Sequence, residues 1–301
     1  MHKNRLFIIR CLFPALAIYI FVFAYPTLRT IIMSFFNMKT ISTSIKHWKF
    51  AGINNYLHVF QAPIFRQSLL NIMRIWFLSG AITIFLSLFF AVILTGNIRG
   101  KQFFKSVIYM PNVISVIALG NMWLHYVFNY KYGLLKTFFS SLNMTGLASI
   151  QWTSPDFIFY AMNIAYSFGM IGYFMLIYVS GIERIPAEIL ESATIDGAGR
   201  FRSFISITFP LLKDVNKTVF TLWTVRVVGF FALSKVFSPI DSSPQTITPM
   251  VYAYEAMFGA DFVSVEGRIG IAASACVVMT VIIVVMFLLS NALTKGDHYE
   301  F

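Results

Sequence analysis

The stretch ESATIDGAGRFRSFISITFP, Glu191–Pro210, decides the fold class because it is a polar interruption between two long apolar runs. It contains two carboxylates, two arginines, two glycines and a proline. The runs on either side, near 157–181 and 215–236, each have about the 20 residues that an α-helix needs to cross the hydrocarbon core of a bilayer. The stretch is therefore predicted to be a loop at a membrane surface between two spans.

The composition of the whole chain is that of a membrane protein. Of its 301 residues, 58% are hydrophobic and 12% are charged, and that charged share is about half of the share in soluble proteins. The sequence predicts an all-α membrane protein, one transmembrane domain over residues 1–301 with six transmembrane helices. The predicted spans lie near 8–34, 68–95, 106–128, 157–181, 215–236 and 269–293.

The distribution of basic residues predicts the orientation of these spans. Placing the N-terminus in the cytoplasm puts twelve basic residues in inner segments and eight in the longer outer segments, as the preference of Lys and Arg for cytoplasmic loops requires. Both termini and the loop at 183–214 are then expected to be cytoplasmic, in a multi-pass membrane protein. The net charge of +11 is explained by this bias and by contact with membrane lipid, so no nucleic acid partner is expected.

Several functional classes have little support in the sequence. The predicted spans contain no Asp or Glu in their interior, whereas ion-coupled secondary carriers commonly place a carboxylate near the midplane; that class is kept as the alternative. The loop GNIRGKQ, Gly96–Gln102, has the wrong glycine spacing for a phosphate-binding loop, and Gln102 replaces the magnesium-binding Ser or Thr. We expect no enzyme activity, no metal site and no cofactor, and any nucleotide is expected on another chain.

One charged residue lies deep in a predicted span. Arg226 is about eleven residues into the fifth span, roughly 16 Å deep at 1.5 Å per residue, where a cation should face protein or water. Helical spacing places two sets of residues on shared faces: Trp223, Arg226 and Phe230 in the fifth span, and Asn163, Tyr166 and Tyr173 in the fourth. These faces line a polar, aromatic substrate path or pack helix against helix, and the sequence leaves both interpretations open.

The cytoplasmic stretch itself predicts a short helix-turn-helix. Pro186 suits the first turn of a helix, and Glu188 complements its dipole. Asp196 and Gly197 are expected to end that helix, because Gly tolerates the left-handed conformation of a tight turn. A second segment begins after Gly199, and Pro210 is expected to end or kink it.

At this point the residues resemble a known family. Glu191-Ser192-Ala193, then Gly197, then Ile207-Thr208-Phe209-Pro210 is similar to the EAA loop of the integral membrane subunits of binding-protein-dependent ABC importers, whose pattern is E-A-A-x3-G-x9-I-x-L-P. Ser192 replaces an Ala, and Phe209 replaces the Leu. FAGINNYLHVFQAPIF, Phe50–Phe65, is similar to the F-x-G-x-x-N-Y segment of carbohydrate permeases of the maltose, lactose and glycerol-phosphate type.

The resemblance implies a type I ABC importer permease fold and a role in sugar import. The EAA loop, residues 183–214, would couple the spans to a pair of cytoplasmic ATPase subunits, which hydrolyse ATP. A second permease subunit would complete the path for a carbohydrate, an oligosaccharide or related polyol, delivered by an extracellular or periplasmic solute-binding protein. The coupling residues implied are Glu191, Ser192, Ala193, Asp196, Gly197, Ile207 and Pro210. The stretch FSPIDSSPQTITP departs from the family's T-x-G-G-P-like sequence, so the identity of the sugar does not transfer.

Overall fold

The computed structural model describes residues 2–38, 40, 42–239, 243–259 and 267–293, with residues 2–9 described by their backbone alone. The protein is mostly helical, 77% of it, as the composition predicts. It divides into two units, residues 1–66 with 249–281 and residues 67–248 with 282–301. Each unit is described by itself.

The first unit begins with a long helical segment. Helix α1 (His2–Tyr19), a π-helical turn (Ile20–Ala24) and α2 (Tyr25–Met33) follow one another without a break. The part from Arg10 to Met33 is apolar and long enough to cross a membrane, and none of its most apolar 18-residue stretch is buried among the described residues. Its Leu, Ile and Phe side chains are thus left for lipid or another protein.

An asparagine amide secures the C-terminal end of this segment. A two-stranded antiparallel sheet, β1 (Phe36–Asn37) with β2 (Lys49–Phe50), encloses a 3₁₀ turn (Ile45–His47) and leads into α3 (Asn54–Gln61). The buried Asn55 side chain donates hydrogen bonds to the carbonyls of Ser34 (2.9 Å) and Phe36 (3.2 Å). The F-x-G-x-x-N-Y segment therefore satisfies carbonyls that the end of α2 leaves unpaired. Two later helices belong wholly or partly to this unit: α15 (Pro249–Phe258) and α16 (Arg268–Leu293).

The second unit is built around one buried helix. Helix α9 (Ile158–Ile182) is 61% buried over its most apolar 18-residue stretch, and α4 (Pro63–Thr95), α5 (Lys101–Val113) and α13 (Lys213–Val228) pack against it. The remaining helical elements of this unit are α6 (Val116–Met122), the π-turn Trp123–Val127, α7 (Leu134–Ser141), α8 (Thr145–Ala148), α10 (Ala187–Ile195), α11 (Arg200–Ser203), the π-turn Phe204–Thr208, α12 (Phe209–Leu211) and α14 (Ala232–Phe237).

Small residues and short polar side chains hold these helices close together. A Cβ at Gly172 would collide with the backbone of α5 at Ile108 and Tyr109, so only glycine permits this approach. Asn112 of α5 donates to the carbonyl of Gly169 at 3.2 Å, and Ser87 of α4 donates to the carbonyl of Ile171 at 2.8 Å. This is the packing typical of membrane helices, where small residues and polar contacts replace the hydrophobic effect.

Two predicted spans are not single helices. The span predicted near 106–128 is formed by α5 and by α6 with its π-turn, and these two pieces meet at an angle of 98°. Pro111 removes a backbone N–H near the break, and Ile114 is extended. The span predicted near 215–236 is divided between α13 and α14, with a break at residues 229–231. At this break the carbonyl of Phe230 accepts a hydrogen bond from the hydroxyl of Thr248 (2.6 Å).

The other four predicted spans coincide with long apolar helices. Among the residues that the structure describes, Arg10–Met33, Pro63–Thr95, Ile158–Ile182 and Arg268–Ala292 are each long and apolar enough to cross a bilayer. With the bent pair the number of candidate spans is five. The protein is therefore a multi-pass membrane protein.

Candidate functional site

The EAA loop contains the helix-turn-helix that its sequence predicts. Helix α10 begins directly after Pro186 and has Glu188 in its first turn. Gly197 follows its end with a φ of 76°, a left-handed conformation that glycine adopts without strain. Ala198 N–H donates to the carbonyl of Ala193 (2.9 Å) and Gly197 N–H to that of Thr194 (3.1 Å). This pair of hydrogen bonds is the Schellman motif, which satisfies the last carbonyls of a helix.

The second half of the loop is almost continuous helix. Helix α11, the π-turn and α12 run from Arg200 to Leu211. Pro210 lies in the first turn of α12, where its missing N–H costs little, and the helix is interrupted two residues later at Leu212. Leu212 is 1% exposed and lies beside Gly181, near the end of α9. The loop is thus fixed to both α9 and α13.

The loop exposes apolar side chains on its far side. Ile195 is 86% exposed and Phe201 is 77% exposed, one on each side of the turn. Between the two helical segments lies a cavity of about 290 Å³, lined by Ile189, Ser192, Ala193, Asp196, Ala198, Arg202 and Ile207. The loop therefore presents a small cleft with exposed apolar residues beside it.

Of the residues predicted to couple the spans to an ATPase, some are buried in the loop and others are exposed. Ala193 is buried at 6% exposure and Ile207 is half-buried. The other predicted coupling residues, Glu191, Ser192, Asp196, Gly197 and Pro210, are exposed. A Cβ at Gly197 would meet no atom within 4 Å, so the backbone conformation alone requires glycine there.

An ion pair joins the EAA loop to the other predicted inner loop. Lys105 Nζ of α5 lies 2.9 Å from Glu183 Oε1, directly after α9. The short loop at 96–105 and the EAA loop therefore lie at the same end of this unit, as the predicted topology requires.

Four of the six predicted path residues form part of the core. Trp223, Tyr166 and Phe230 are 1%, 8% and 4% exposed. The Tyr166 ring centroid lies 5.6 Å from that of Trp223 and 4.6 Å from that of Phe230. The Trp223 indole N–H donates to the carbonyl of Trp76 in α4 (3.0 Å). A Cβ at Gly80 would lie 2.6 Å from that indole nitrogen, so glycine makes room for the ring.

Asn163, the fourth buried path residue, links two helices. It is 4% exposed, its Oδ1 accepts a hydrogen bond from Ser79 of α4 (2.5 Å) and its Nδ2 donates to the carbonyl of Phe159 (2.7 Å). These contacts are those of an interhelical polar bridge.

The other two path residues lie at the surface of this chain. The guanidinium carbon of Arg226 lies 4.8 Å from the centroid of the Tyr173 ring, which is cation–π geometry. Arg226 is exposed and Tyr173 is half-buried. Helical spacing alone places Arg226 on the same face of α13 as Trp223. The packing of α13 on α9 buries Trp223 at one edge of that face and leaves Arg226 exposed at the other.

A groove continues from Tyr173 toward the EAA loop. It has a volume of about 480 Å³ and is lined by the hydroxyl-bearing residues Tyr109, Tyr173, Ser180 and Thr218, by Gly181 and the apolar Leu176, Ile177 and Val215, and by Arg184 and Asp214. The sequence reasoning did not identify Tyr109, Ser180 or Thr218. The signal that it missed is the spacing of Tyr173 and Ser180 at i and i+7, which places them on one face of α9.

Comparison with known proteins agrees with this geometry. The family described as "Binding-protein-dependent transport system inner membrane component" matches residues 83–296, which include α9, α13 and the EAA loop. The chain belongs to this family. It is therefore a transport component of the inner membrane and not an enzyme, and the resemblance stated from the sequence is confirmed.

Relatives within the family are named for sugars. The chain is 26% identical over 266 residues to a diacetylchitobiose uptake permease of Streptomyces coelicolor, covering 84% of this chain and 74% of the relative. It is 31% identical over 197 residues, 65% of each chain, to a trehalose/maltose transport permease of Thermococcus litoralis. An arabinooligosaccharide permease of Bacillus subtilis is 26% identical over 94% of this chain and 88% of its own length.

A solved structure shares the fold. A chain of a bacterial ABC transporter that imports the acidic polysaccharide alginate superposes with a TM-score of 0.78 over 97% of this chain and 96% of that chain, at 18% identity. The predicted fold class, that of the permease subunits of ABC importers, is confirmed.

Proposed function

We propose that this protein is one of two permease subunits of an ATP-driven ABC importer and forms half of the path by which a carbohydrate, an oligosaccharide or related polyol, crosses the plasma membrane. The family and the sugar-transporting relatives support the class of the protein. The observation that carries the mechanism is the EAA loop, which connects α9 to α13 and exposes apolar residues on both sides of its turn.

The exposed apolar residues of the loop favour a protein partner. Leaving Ile195 and Phe201 in water costs about 1.5 to 3 kcal/mol each relative to full burial, and a groove on a second protein would remove that cost. With both termini in the cytoplasm, this partner is one of a pair of ATPase subunits. ATP is then hydrolysed on that pair and not on this chain.

The connections of the loop to α9 and α13 explain how docking of a partner can change the substrate path. The loop leads directly from α9, which carries Tyr173, into α13, which carries Arg226, and Leu212 is buried where the two helices meet. A force on the exposed residues therefore moves the two helices that form the groove. Domain closure of the ATPase pair would be transmitted by this rigid connection.

The groove and its surroundings suit a carbohydrate. Aromatic faces stack on the C–H surfaces of sugars, and amide, hydroxyl and guanidinium groups bond their hydroxyls. Tyr173 and Arg226 face the path, and the buried Asn163, Tyr166, Trp223 and Phe230 pack the helices behind them. A second permease subunit closes the other side, and a solute-binding protein delivers the sugar from outside.

The test is reconstitution of the importer in liposomes. The chain alone should be inert, and ATP-dependent uptake should appear with the second permease, the ATPase pair and the sugar-loaded binding protein. Glu191→Lys should assemble normally but lose uptake, because it reverses a charge on the exposed face of α10, whereas Glu188→Gln on the same helix is the matched control. Uptake by the chain alone, driven by an ion gradient, would instead establish a secondary carrier.

A further inference from the structure

Among the residues that the structure describes, Arg226 has no charged partner. No carboxylate of these residues forms an ion pair with it, and α9, over which its guanidinium lies, contains no charged residue. The guanidinium lies over the Tyr173 ring. The described part of the chain therefore does not neutralise this charge.

The position of this charge is deep in the span that the sequence predicts near 215–236. Arg226 is thirteen residues from the start of α13 at Lys213, about 20 Å along the helix axis. Tyr173 is nine residues from the end of α9 at Ile182, about 14 Å from the same end. Because side chains tilt toward the N-terminus of their helix, the guanidinium reaches back to the ring at this intermediate depth.

A guanidinium at this depth requires an anion or water beside it. Arg226 lies over the Tyr173 ring and is exposed in this chain, and the N–H edges of a guanidinium match the two oxygens of a carboxylate. The hydroxyls of a neutral sugar accept hydrogen bonds but offset no charge. The exposed charge of Arg226 thus favours an anionic group on the substrate.

The groove next to Tyr173 fits the rest of such a substrate. Its hydroxyl-bearing residues Tyr109, Ser180 and Thr218 are uncharged, so they suit the neutral hydroxyls of a saccharide. Below Tyr173 no further cation lines the groove until Arg184, near its inner end. Between Arg226 and the charged end of the groove at Arg184 and Asp214, the site is therefore a neutral stretch.

We propose that Arg226, stacked on Tyr173, binds the carboxylate of an acidic saccharide, and that the substrates of this importer are oligosaccharides containing uronic acid residues. This assignment rests on the proposed function as a carbohydrate permease. Arg226 is then the residue that determines specificity, and Tyr173 is the positioning residue that holds its guanidinium flat.

The experiment compares two saccharides that differ only in the acidic group. Liposomes with the complete importer are given a uronic acid oligosaccharide or the same oligosaccharide with each carboxyl reduced to an alcohol, and initial uptake rates are measured. Arg226→Gln should lower uptake of the acid about 10- to 100-fold, the range for loss of a charged hydrogen bond, with little change for the reduced sugar. Arg226→Lys should recover part of it, and Tyr173→Phe should recover more than Tyr173→Leu.

The controls separate this assignment from its alternatives. Lys217→Gln removes the same charge from the same helix at a site away from Tyr173, and should preserve the preference for the acid. Equal effects of Arg226→Gln on both sugars, or loss of subunit assembly, would show that Arg226 pairs with the partner permease and would overturn the assignment. Uptake of the reduced sugar but not of the acid would also overturn the assignment, although the proposed function as a carbohydrate permease would stand. If neither sugar is taken up, the proposed function itself is refuted.

Discussion

The EAA loop and the aromatic core around Trp223 differ in what holds them in place. The turn at Gly197 is fixed by hydrogen bonds between residues 193 and 198, and much of the loop is exposed. Trp223 is fixed by residues far away in sequence, Trp76 and Tyr166, and is almost fully buried. The loop therefore has a locally determined shape and a free surface, whereas the core has a shape that depends on the packing of α4, α9 and α13.

The largest expected effect is on the loop. Gly197→Pro requires a φ near −65° where the turn has 76° and also removes the N–H that bonds Thr194. Uptake by the assembled importer should be abolished, because the exposed residues on the two sides of the turn lose their arrangement, while the amount of membrane-inserted protein stays normal. Both quantities are measured in the same vesicles.

Gly199 provides a control for this substitution. Its φ of −64° is ordinary, and a Cβ there would also meet no atom within 4 Å. Gly199→Ala should transport as the wild type does, whereas Gly197→Ala should be impaired, since a left-handed conformation costs a residue with a Cβ about 1 to 2 kcal/mol. Identical behaviour of the two alanine variants would mean that the turn does not determine coupling.

The next largest effect is expected in the aromatic core around Trp223. Trp223→Ala leaves a cavity among Tyr166, Phe174 and Gly80 and removes the hydrogen bond to Trp76, so it should lower the free energy of unfolding by about 3 kcal/mol, the lower end of the range for such truncations. Thermal unfolding in detergent measures this change. Arg226→Ala, on the same helix but exposed, should leave the thermal stability unchanged while impairing transport.

A smaller effect is expected at the bridge between α4 and α9. Ser79→Ala removes the donor to Asn163 Oδ1 and should destabilise the protein by about 1 kcal/mol. Ser79→Ala combined with Asn163→Leu should cost less than the sum of the two single changes, because the removed groups are partners. Strict additivity in thermal unfolding would indicate that this hydrogen bond contributes nothing.

The smallest effect is expected at the ion pair of Lys105 with Glu183. The Glu183 side chain is 51% exposed, so solvent screens the pair, and Lys105→Met should cost about 0.5 kcal/mol. That difference should shrink as salt is raised from 0.05 to about 0.5 M. A cost independent of salt would point to lost packing of the Lys105 stem rather than lost charge.

The contrast between local and long-range contacts also explains which features could be predicted from the sequence. The end of α10 at Gly197 followed from local rules, because a glycine after a short helix with no long-range partner is sufficient to define the turn. The four uninterrupted spans followed from length and apolarity. The identity of the family followed from the spacing of Glu191, Gly197 and Pro210.

Features that depend on packing were not predictable. The break after Val113 depends on how α5 lies against Gly172 and Gly169 of α9, and Pro111 alone does not distinguish a kink from a 98° bend. Helical spacing placed Trp223, Arg226 and Phe230 on one face, but only the position of α9 shows that Arg226 lies at its open edge. Asn163 proved to be a bridge to Ser79, a partner 84 positions away.

The Schellman turn at Gly197 also has a consequence for the working cycle of an importer. Because its hydrogen bonds join residues only three to five positions apart, the turn does not need a bound partner to form, and its shape does not depend on how the membrane helices are arranged. A partner that docks there meets a surface that is already ordered, so little conformational entropy is lost at each encounter. The free energy of association is then available to move α9 and α13 in every turnover.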